Sequence, residues 1–191
     1  NFPTYLKKLL AKHPNIKSNS VEIEVLETSA LENFELTSKN LRACQDLGIS
    51  IAIDDFGTGY ASLHYLKKLP MNTLKIDKSF VIDLLDTSQN ISIVEASIGL
   101  AQAFNSHVVA EGVESEEHGK LLRQLGCEIA QGHAISKAMP AEDVIDWLNS
   151  WKGFASWETT KPISAQSHII LHVAIEHNNW INHIKAFLQN K

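Results

Sequence analysis

Short β-branched runs alternate with amphipathic helical stretches along most of this chain, and that alternation limits the folds it can form. Five runs have the length and composition of β-strands, namely 21–25, 49–53, 73–76, 107–110 and 128–130. Repeated β-then-α units place neighbouring strands parallel, with helices outside and right-handed crossovers between them. The pattern therefore predicts an α/β fold, built either as an open doubly wound sheet or as part of a (β/α)8 barrel.

The stretches between these runs carry recognisable helix ends. Ser38 is a candidate N-cap for a helix that ends near Gly48, and Ser115 is one for a helix that ends at Gly126. A further helix, running to about residue 105, would bury one face made of Ile91, Val94, Ile98 and Ala101. A glycine-rich strand-to-helix turn of the dinucleotide-binding kind is absent from the sequence, which weakens the open-sheet alternative.

Every predicted strand carries a polar side chain at or near its carboxyl end. These residues are Glu24, Asp54, Asp55, Lys75, Glu111 and Gln131. One or two such residues are expected by chance, because strands reach the surface at their ends, but a polar residue on every strand is not. A parallel barrel gathers its active site at that face, so we expect the six side chains to converge at one mouth.

The adjacent acids Asp54 and Asp55 are followed by a loop that contains Gly57 and Gly59. Adjacent residues of a strand point to opposite faces, but a turn at the strand end would let both carboxylates reach the same cation. The alternative is a solvated turn that opens a loop, which is common for an isolated Asp-Asp pair. All candidate ligands are oxygen donors without a Cys or His cluster, so the set suits Mg²⁺ or Mn²⁺.

Length and composition limit the classes of protein to which the chain could belong. The chain has 191 residues and a net charge of −5, with 44% hydrophobic and 20% charged residues, which is typical of one globular domain with an appendage. The negative charge argues against a binder of nucleic acid polymers. The apolar stretches are too interrupted for a membrane segment and the start lacks signal-peptide features, so we expect a cytoplasmic protein. Cys44 and Cys127 are expected to be buried, reduced thiols.

Five motifs, in order and spacing, resemble the second half of an EAL domain, the barrel phosphodiesterase that hydrolyses the bacterial second messenger cyclic di-GMP. The motifs are Val-Glu-Ile-Glu-Val-Leu-Glu at 21–27, Asp-Asp-Phe-Gly-Thr-Gly-Tyr at 54–60, Leu-Lys-Ile-Asp-Lys-Ser-Phe at 74–80, Val-Ala-Glu-Gly-Val-Glu at 109–114 and Gln-Gly at 131–132. The resemblance covers 21–140 and implies a (β/α)8 TIM-type barrel, of which this chain holds about the last five βα units.

The resemblance also implies a role for each matching residue. Two ions, Mg²⁺ or Mn²⁺, would be held by four carboxylates, those of Glu24, Asp54, Asp55 and Glu111. Lys75 would orient or help deprotonate the attacking water, with Asp55 and Glu114 as further catalytic groups. Gln131 would bind the substrate, and Glu27 would brace the loop that follows Asp55. The implied reaction is hydrolysis of cyclic di-GMP to linear pGpG by a water activated between two metals.

Two ligand-bearing strands of the family, the Glu-Ala-Leu strand and one that bears a metal-binding Asn, have no counterpart in this sequence. Residues 1–151 are therefore expected to form a partial barrel domain within a longer polypeptide that has other signalling domains. Open strand edges favour a homodimer. Two functions stay open: a metal-dependent cyclic di-GMP phosphodiesterase, favoured by the retained acids and lysine, and a non-catalytic cyclic di-GMP receptor with an incomplete site.

The residues after 151 are expected to lie outside the barrel. Ser, Thr and Pro residues predict a linker over 152–167. An amphipathic helix is predicted over 168–191 from apolar residues at helical spacing, which are Ile169, Val173, Trp180, Ile184 and Phe187. This helix would pack on the barrel or on a second copy of the chain. Its His177 and Trp180 faintly resemble the opening helix of a chemoreceptor-type zinc-binding domain, so the start of another domain is the alternative.

Overall fold

In a computed structural model, the chain is described over residues 2–59 and 62–163 and at position 175. Five strands form one sheet in the order β1-β2-β3-β4-β5, with bounds β1 Glu22–Leu26, β2 Ser50–Phe56, β3 Thr73–Ile76, β4 His107–Glu111 and β5 Ile129–Gln131. β1 pairs with β2 in parallel, and β2 pairs with β3 in the same way. Each predicted strand is found where it was expected, and the α/β class is confirmed.

Helices fill the stretches between the strands, precede β1 and follow β5. They are α1 Phe2–Lys12, α2 Glu27–Glu32, α3 Phe34–Gln45, α4 Leu63–Leu66, α5 Lys78–Ile82, α6 Ser88–Ala103, α7 Glu116–Leu125, α8 Val144–Ser150 and α9 Ala155–Thr159, with 3-10 turns at Ser18–Ser20 and Ala141–Asp143. The regular succession of strand and helix is that of βα units, which place the carboxyl ends of parallel strands at one edge of the sheet.

The local sequence correctly predicts both ends of α7 but not the start of α3. Ser115 caps α7 by accepting a backbone hydrogen bond through its side chain, and Gly126 adopts the left-handed conformation (φ 94°) after the last turn. The predicted N-cap Ser38 is wrong, because α3 starts one turn earlier and Ser38 is buried inside it. The cap is Asn33, whose side chain accepts from Leu36 N at 3.4 Å.

Contacts divide the chain into two compact units, Asn1–Asp77 with Gly99–Val109 and Lys78–Ile98 with Ala110–Lys191. The core of the first unit is an apolar cluster of Ala30, Leu41, Cys44, Ile49, Ile51, Ile53, Leu66 and Leu69. The second unit buries apolar side chains from α6, α7 and β4, among them Ile91, Val94, Ile98, Ala110, Leu121, Leu122 and Leu125. The predicted buried face of α6 is confirmed, and so is the burial of the Cys44 and Cys127 thiols.

The segment predicted as a linker, 152–167, contains a packed helix. In α9, Trp157 donates a hydrogen bond from its indole Nε1 to Glu116 O of α7 at 2.7 Å. Thr160 is one of the residues that predicted a linker, but its Oγ1 donates a hydrogen bond to Ser156 O of this helix at 2.7 Å. The predicted amphipathic helix over 168–191 lies outside the described residues, position 175 excepted. Within the described part of the chain, no helix has the length and apolar character needed to cross a membrane.

Candidate functional site

A buried lysine lies among the polar residues of the first unit. Lys75, on β3, has a side chain that is only 7% exposed, and its Nζ lies 2.8 Å from Glu24 Oε1 and 3.0 Å from Asp54 Oδ1. An ammonium group is costly to bury unless nearby charges and hydrogen bonds compensate for its lost hydration. β1 and β2 each provide one carboxylate for this purpose, so three neighbouring strands meet in one charged cluster.

The acids Asp54 and Asp55 lie at an irregularity in the pairing of β2 with β3. Between Ile53 and Phe56 the register slips, so that both acids take the place opposite the single Lys75. Asp55 adopts the left-handed conformation (φ 53°), which Asp tolerates better than most side chains do. The turn predicted at the end of the strand is therefore a β-bulge inside it, since β2 continues to Phe56. At such a bulge the strict alternation of side chains is lost, and neighbouring carboxylates are no longer forced to opposite faces.

Like charges surround the Asp55 carboxyl group. Burial raises its pKa, the carboxylates of Asp54 and Asp77 raise it further, and Lys75 lowers it. Asp54 Oδ1 is shielded from solvent and, although the Lys75 ammonium is close, accepts no hydrogen bond of good geometry from the described residues. A divalent cation would satisfy such oxygens and offset their mutual repulsion. The donor set of this unit therefore fits a hard metal ion.

Glu27 contacts the loop that follows the two acids. The residue is only 3% exposed, and its Oε2 accepts a hydrogen bond from Gly57 N at 2.8 Å. Its Oε1 lies so close to Gly59 that a Cβ at this position would be 2.7 Å away. A side chain at Gly59 would have to displace the Glu27 carboxylate from its present place. This contact supports a bracing role of Glu27, which stays a prediction.

The second unit forms a cavity of about 490 Å³ beside the carboxyl ends of β4 and β5. Three predicted site residues, Glu111, Glu114 and Gln131, line it. Three further polar residues, Lys78, His133 and Ser136, also line it, and the sequence marks none of them as functional. The cavity combines carboxylates, an amide and cationic or ionisable groups, which is a mixture suited to a polar ligand with both hydrogen-bond donors and anionic groups.

Two glycines let the wall of this cavity pack closely. Gly112 has a positive φ of 77°, and a Cβ there would lie 2.6 Å from the Cβ of Lys78. A Cβ on Gly132 would overlap the backbone of Val113, whose N donates to Gln131 O at 3.1 Å. The glycines in the fourth and fifth motifs are therefore required by packing around the cavity.

The predicted site residues occur as two groups, one in each unit. The first consists of Glu24, Asp54, Asp55 and Lys75, with Glu27 on the adjoining loop, and the second consists of Glu111, Glu114 and Gln131. Convergence of all six strand-end side chains at one mouth stays a prediction. Asp77 and Lys78 were missed, although their position directly after β3 could have indicated them, because residues at a strand's carboxyl end face the same edge as Lys75.

Known proteins that resemble this chain in sequence and in structure include EAL domains and cyclic di-GMP phosphodiesterases. A sequence profile described as "EAL domain" matches residues 1–138. The cyclic di-GMP phosphodiesterase NbdA of Pseudomonas aeruginosa is 39% identical over 132 residues, which are 69% of this chain and 17% of that protein. The solved PaMucR phosphodiesterase complex with c-di-GMP matches with a TM-score of 0.69 and 38% identity, over 72% of this chain and 56% of that one.

A further matching structure was solved with a metal ion. The manganese and cyclic di-GMP complex of BlrP1 from Klebsiella pneumoniae at pH 9.0 has a TM-score of 0.66 and 31% identity, over 71% of this chain and 35% of that one. The chain spans only 17% to 21% of the length of the first curated relatives that it matches.

Proposed function

This chain belongs to the EAL domain family, its five strands being part of that family's TIM-type barrel, and on this basis we propose that it supplies catalytic groups for hydrolysis of cyclic di-GMP. The observation that carries the proposal is the buried Lys75, held between Glu24 and Asp54 beside the crowded carboxyl group of Asp55. A cluster with this charge and burial has no evident structural purpose, because apolar residues of similar volume would stabilise the sheet at least as well. Perturbed ionisable groups of this kind are concentrated at functional sites.

Divalent cations are part of the proposal, and the residues present fit them. Mg²⁺ or Mn²⁺, two ions in all, would be held by Glu24, Asp54, Asp55 and Glu111. The ions would neutralise phosphate charge and lower the pKa of a water molecule. The shielded Asp54 Oδ1 and the repulsion at Asp55 both support this assignment. A family neighbour that was solved with manganese and cyclic di-GMP supports it as well.

Lys75 is proposed to orient the attacking water. Its contacts with Glu24 and Asp54 hold the ammonium in one place, so its position need not be reorganised when charge develops during the reaction. In the reaction, the water oxygen bonds to phosphorus and the P–O3′ bond breaks, which leaves a linear pGpG with a 5′-phosphate. A water proton moves to a carboxylate, for which Asp55, opposite Lys75 at the bulge of β2, is the candidate, and O3′ leaves as a hydroxyl after taking up a proton.

Glu114 and Gln131 are proposed to act from the cavity of the second unit. Gln131 can both donate and accept hydrogen bonds, so it suits a guanine edge or a sugar hydroxyl. Glu114 accepts hydrogen bonds only, and it would hold a water molecule or a ligand N–H group.

The test is hydrolysis of cyclic di-GMP by the polypeptide of the complete reading frame, with chromatographic detection of pGpG. We expect pGpG to form with Mg²⁺ or Mn²⁺ and formation to stop when EDTA is added. Asp54→Asn should reduce turnover by about 100-fold or more. Asp46→Asn, the same change at an exposed position outside the cluster, is the matched control. Tight binding of cyclic di-GMP without hydrolysis would indicate a receptor and not an enzyme. The absence of both binding and hydrolysis would refute the proposal.

A further inference from the structure

Residues 151–163, which follow the part of the chain matched by the family profile, dock on α7 through specific hydrogen bonds. Trp157 Nε1 donates to Glu116 O at 2.7 Å, and the neighbouring Ser156 hydroxyl donates to the Glu116 carboxylate. At the other end of α7, Ile163 N donates to Gln124 O at 3.0 Å. The segment is thus bonded to both the first turn and the last turn of this helix.

The indole ring of Trp157 lies directly on Gly119. A Cβ built on Gly119 would overlap ring atoms of Trp157, so the ring can occupy this place only because the helix has no side chain there. Glycine inside a helix is less favourable than alanine, since it gives up more backbone freedom on folding. A buried glycine in the middle of α7 is therefore explained by the ring that it accommodates.

A row of aromatic rings leads from α8 to Trp157. Trp147 of α8 stacks on Trp151 with centroids 5.7 Å apart, and Trp151 meets Phe154 edge to face at 5.5 Å. Phe154 in turn contacts Trp157, with centroids 4.6 Å apart. Aromatic pairs at these separations add favourable contact energy beyond simple burial. The row makes α8, the turn after it and α9 one continuous support for the ring on Gly119.

The first turn of α7 is also joined to the wall of the cavity in the same unit. Ser115, its N-cap, directly follows the cavity residue Glu114 in the chain. The buried His118 pairs its Nδ1 with Ser115 Oγ at 3.3 Å and its Nε2 with the carbonyl of Ile82 at 3.0 Å. Ile82 lines the cavity. A change in the first turn of α7 would therefore reach the cavity through the chain at Glu114 and through Ile82.

We propose that residues 151–163 form a latch whose docking on α7 positions Glu114 and thereby sets the ligand affinity of the cavity. Trp157, Gly119 and Glu116 are positioning residues in this scheme, because none of them lines the cavity. The latch gives the polypeptide after the family domain a means of regulating the site. The identity of the ligand, cyclic di-GMP, rests on the proposed function, whereas the docking contacts do not.

The deciding experiment compares two Gly→Ala variants in the complete polypeptide. Gly99 lies within α6, and among the described residues nothing comes within 4 Å of a Cβ placed there. Alanine should favour both helices equally, so Gly99→Ala is expected to raise Tm by about 1–4 °C. Gly119→Ala should instead lower Tm, because it displaces the ring. Amide hydrogen exchange at 111–118 should become faster in Gly119→Ala alone, and its affinity for cyclic di-GMP should fall about 5-fold or more.

A double variant separates the latch from a simple helix effect. Trp157→Ala removes the ring. Gly119→Ala introduced into the Trp157→Ala variant should therefore cause no further decrease in Tm, in protection from exchange or in affinity for cyclic di-GMP. If Gly119→Ala raises Tm as Gly99→Ala does and leaves exchange at 111–118 unchanged, the latch is overturned. If the wild type fails to bind cyclic di-GMP, the proposed function fails on its own, while exchange at 111–118 in Gly119→Ala still supports or overturns the latch.

Discussion

At the scale of single residues, the candidate site depends on a local irregularity that no hydrophobic pattern reveals. The types of ligand and their place on the strands could be predicted, because carboxylates after apolar runs are visible in the sequence. The bulge at Asp54 and Asp55 could not, since an alternation of apolar and polar residues carries no signal for a slip in pairing with another strand. The left-handed conformation of Asp55 is a consequence of that slip.

The buried lysine leads to the first prediction. Lys75→Met keeps most of the side-chain volume but removes the charge, so we expect turnover of cyclic di-GMP to fall by about 10²–10⁴-fold. The variant should also lose about 1–3 kcal/mol of unfolding free energy, since Asp54 keeps a shielded carboxylate without its cation. Urea unfolding and steady-state kinetics measure the two effects. Lys67→Met, at an exposed position, is the control, and equal behaviour of the two variants would contradict the role of Lys75.

The second prediction concerns the thiol of Cys127. Burial raises its pKa from 9.0 to about 11, and the Sγ–H group donates to Ile129 O at 3.2 Å. Because the folded protein holds the proton more tightly than the unfolded chain does, this thiol adds stability below pH 9 and loses it as the pH rises to about 11. The free energy of unfolding of the wild type should therefore decline more steeply over that range than that of Cys127→Ala. Parallel pH curves for the two proteins would exclude this linkage.

At the scale of elements, strands were easier to predict than helix ends and packing partners. The five strands could be located because β-branched residues cluster in short runs between polar turns, and burial in a parallel sheet requires such runs. The start of α3 was misplaced because Asn33 and Ser38 are both good caps, and tertiary packing decides between them. The docking of α9 was missed because Ser and Thr residues resemble a linker. The combination of Gly119 inside a helix with Trp157 could have indicated it.

The third prediction concerns Asn72, which directly precedes β3 and is hydrogen-bonded to β2 and α3. Asn72 Oδ1 accepts from Ile51 N at 2.9 Å and from Gln45 Nε2 at 3.1 Å, so one amide satisfies a backbone N–H of β2 and anchors α3. Asn72→Ala leaves the partly buried N–H without an acceptor, which should lower the free energy of unfolding by about 1–3 kcal/mol. Asn72→Asp keeps the acceptor and should lose less. Chemical denaturation of both variants provides the measurement, and an equal loss in both would show that the acceptor is unimportant.

At the scale of the whole molecule, the order of the strands has a consequence that the sequence motifs do not show. Within the described residues, β1 pairs with β2 alone, and β5 stands at the other end of the strand order. Unpaired strand edges carry free backbone donors and acceptors that pair readily with another chain. Charged side chains along an edge oppose such pairing, but on β1 the Glu24 carboxylate contacts Lys75 and the Glu22 carboxylate accepts from Thr73, and the strand ends in the exposed Leu26.

The fourth prediction follows from that edge. Residues 1–191 produced alone should associate as concentration rises, because pairing at β1 satisfies backbone groups that otherwise bind water. Leu26→Lys places a charge on the edge, and it should lower the mean mass measured by static light scattering. Leu36→Lys makes the same change at a residue of similar exposure (53% against 45%) on α3, away from any strand edge, so it should leave the mass unchanged. If both variants reduce the mass equally, association is a general effect of added charge. If neither does, the surface responsible lies elsewhere and β1 is not an open edge in solution.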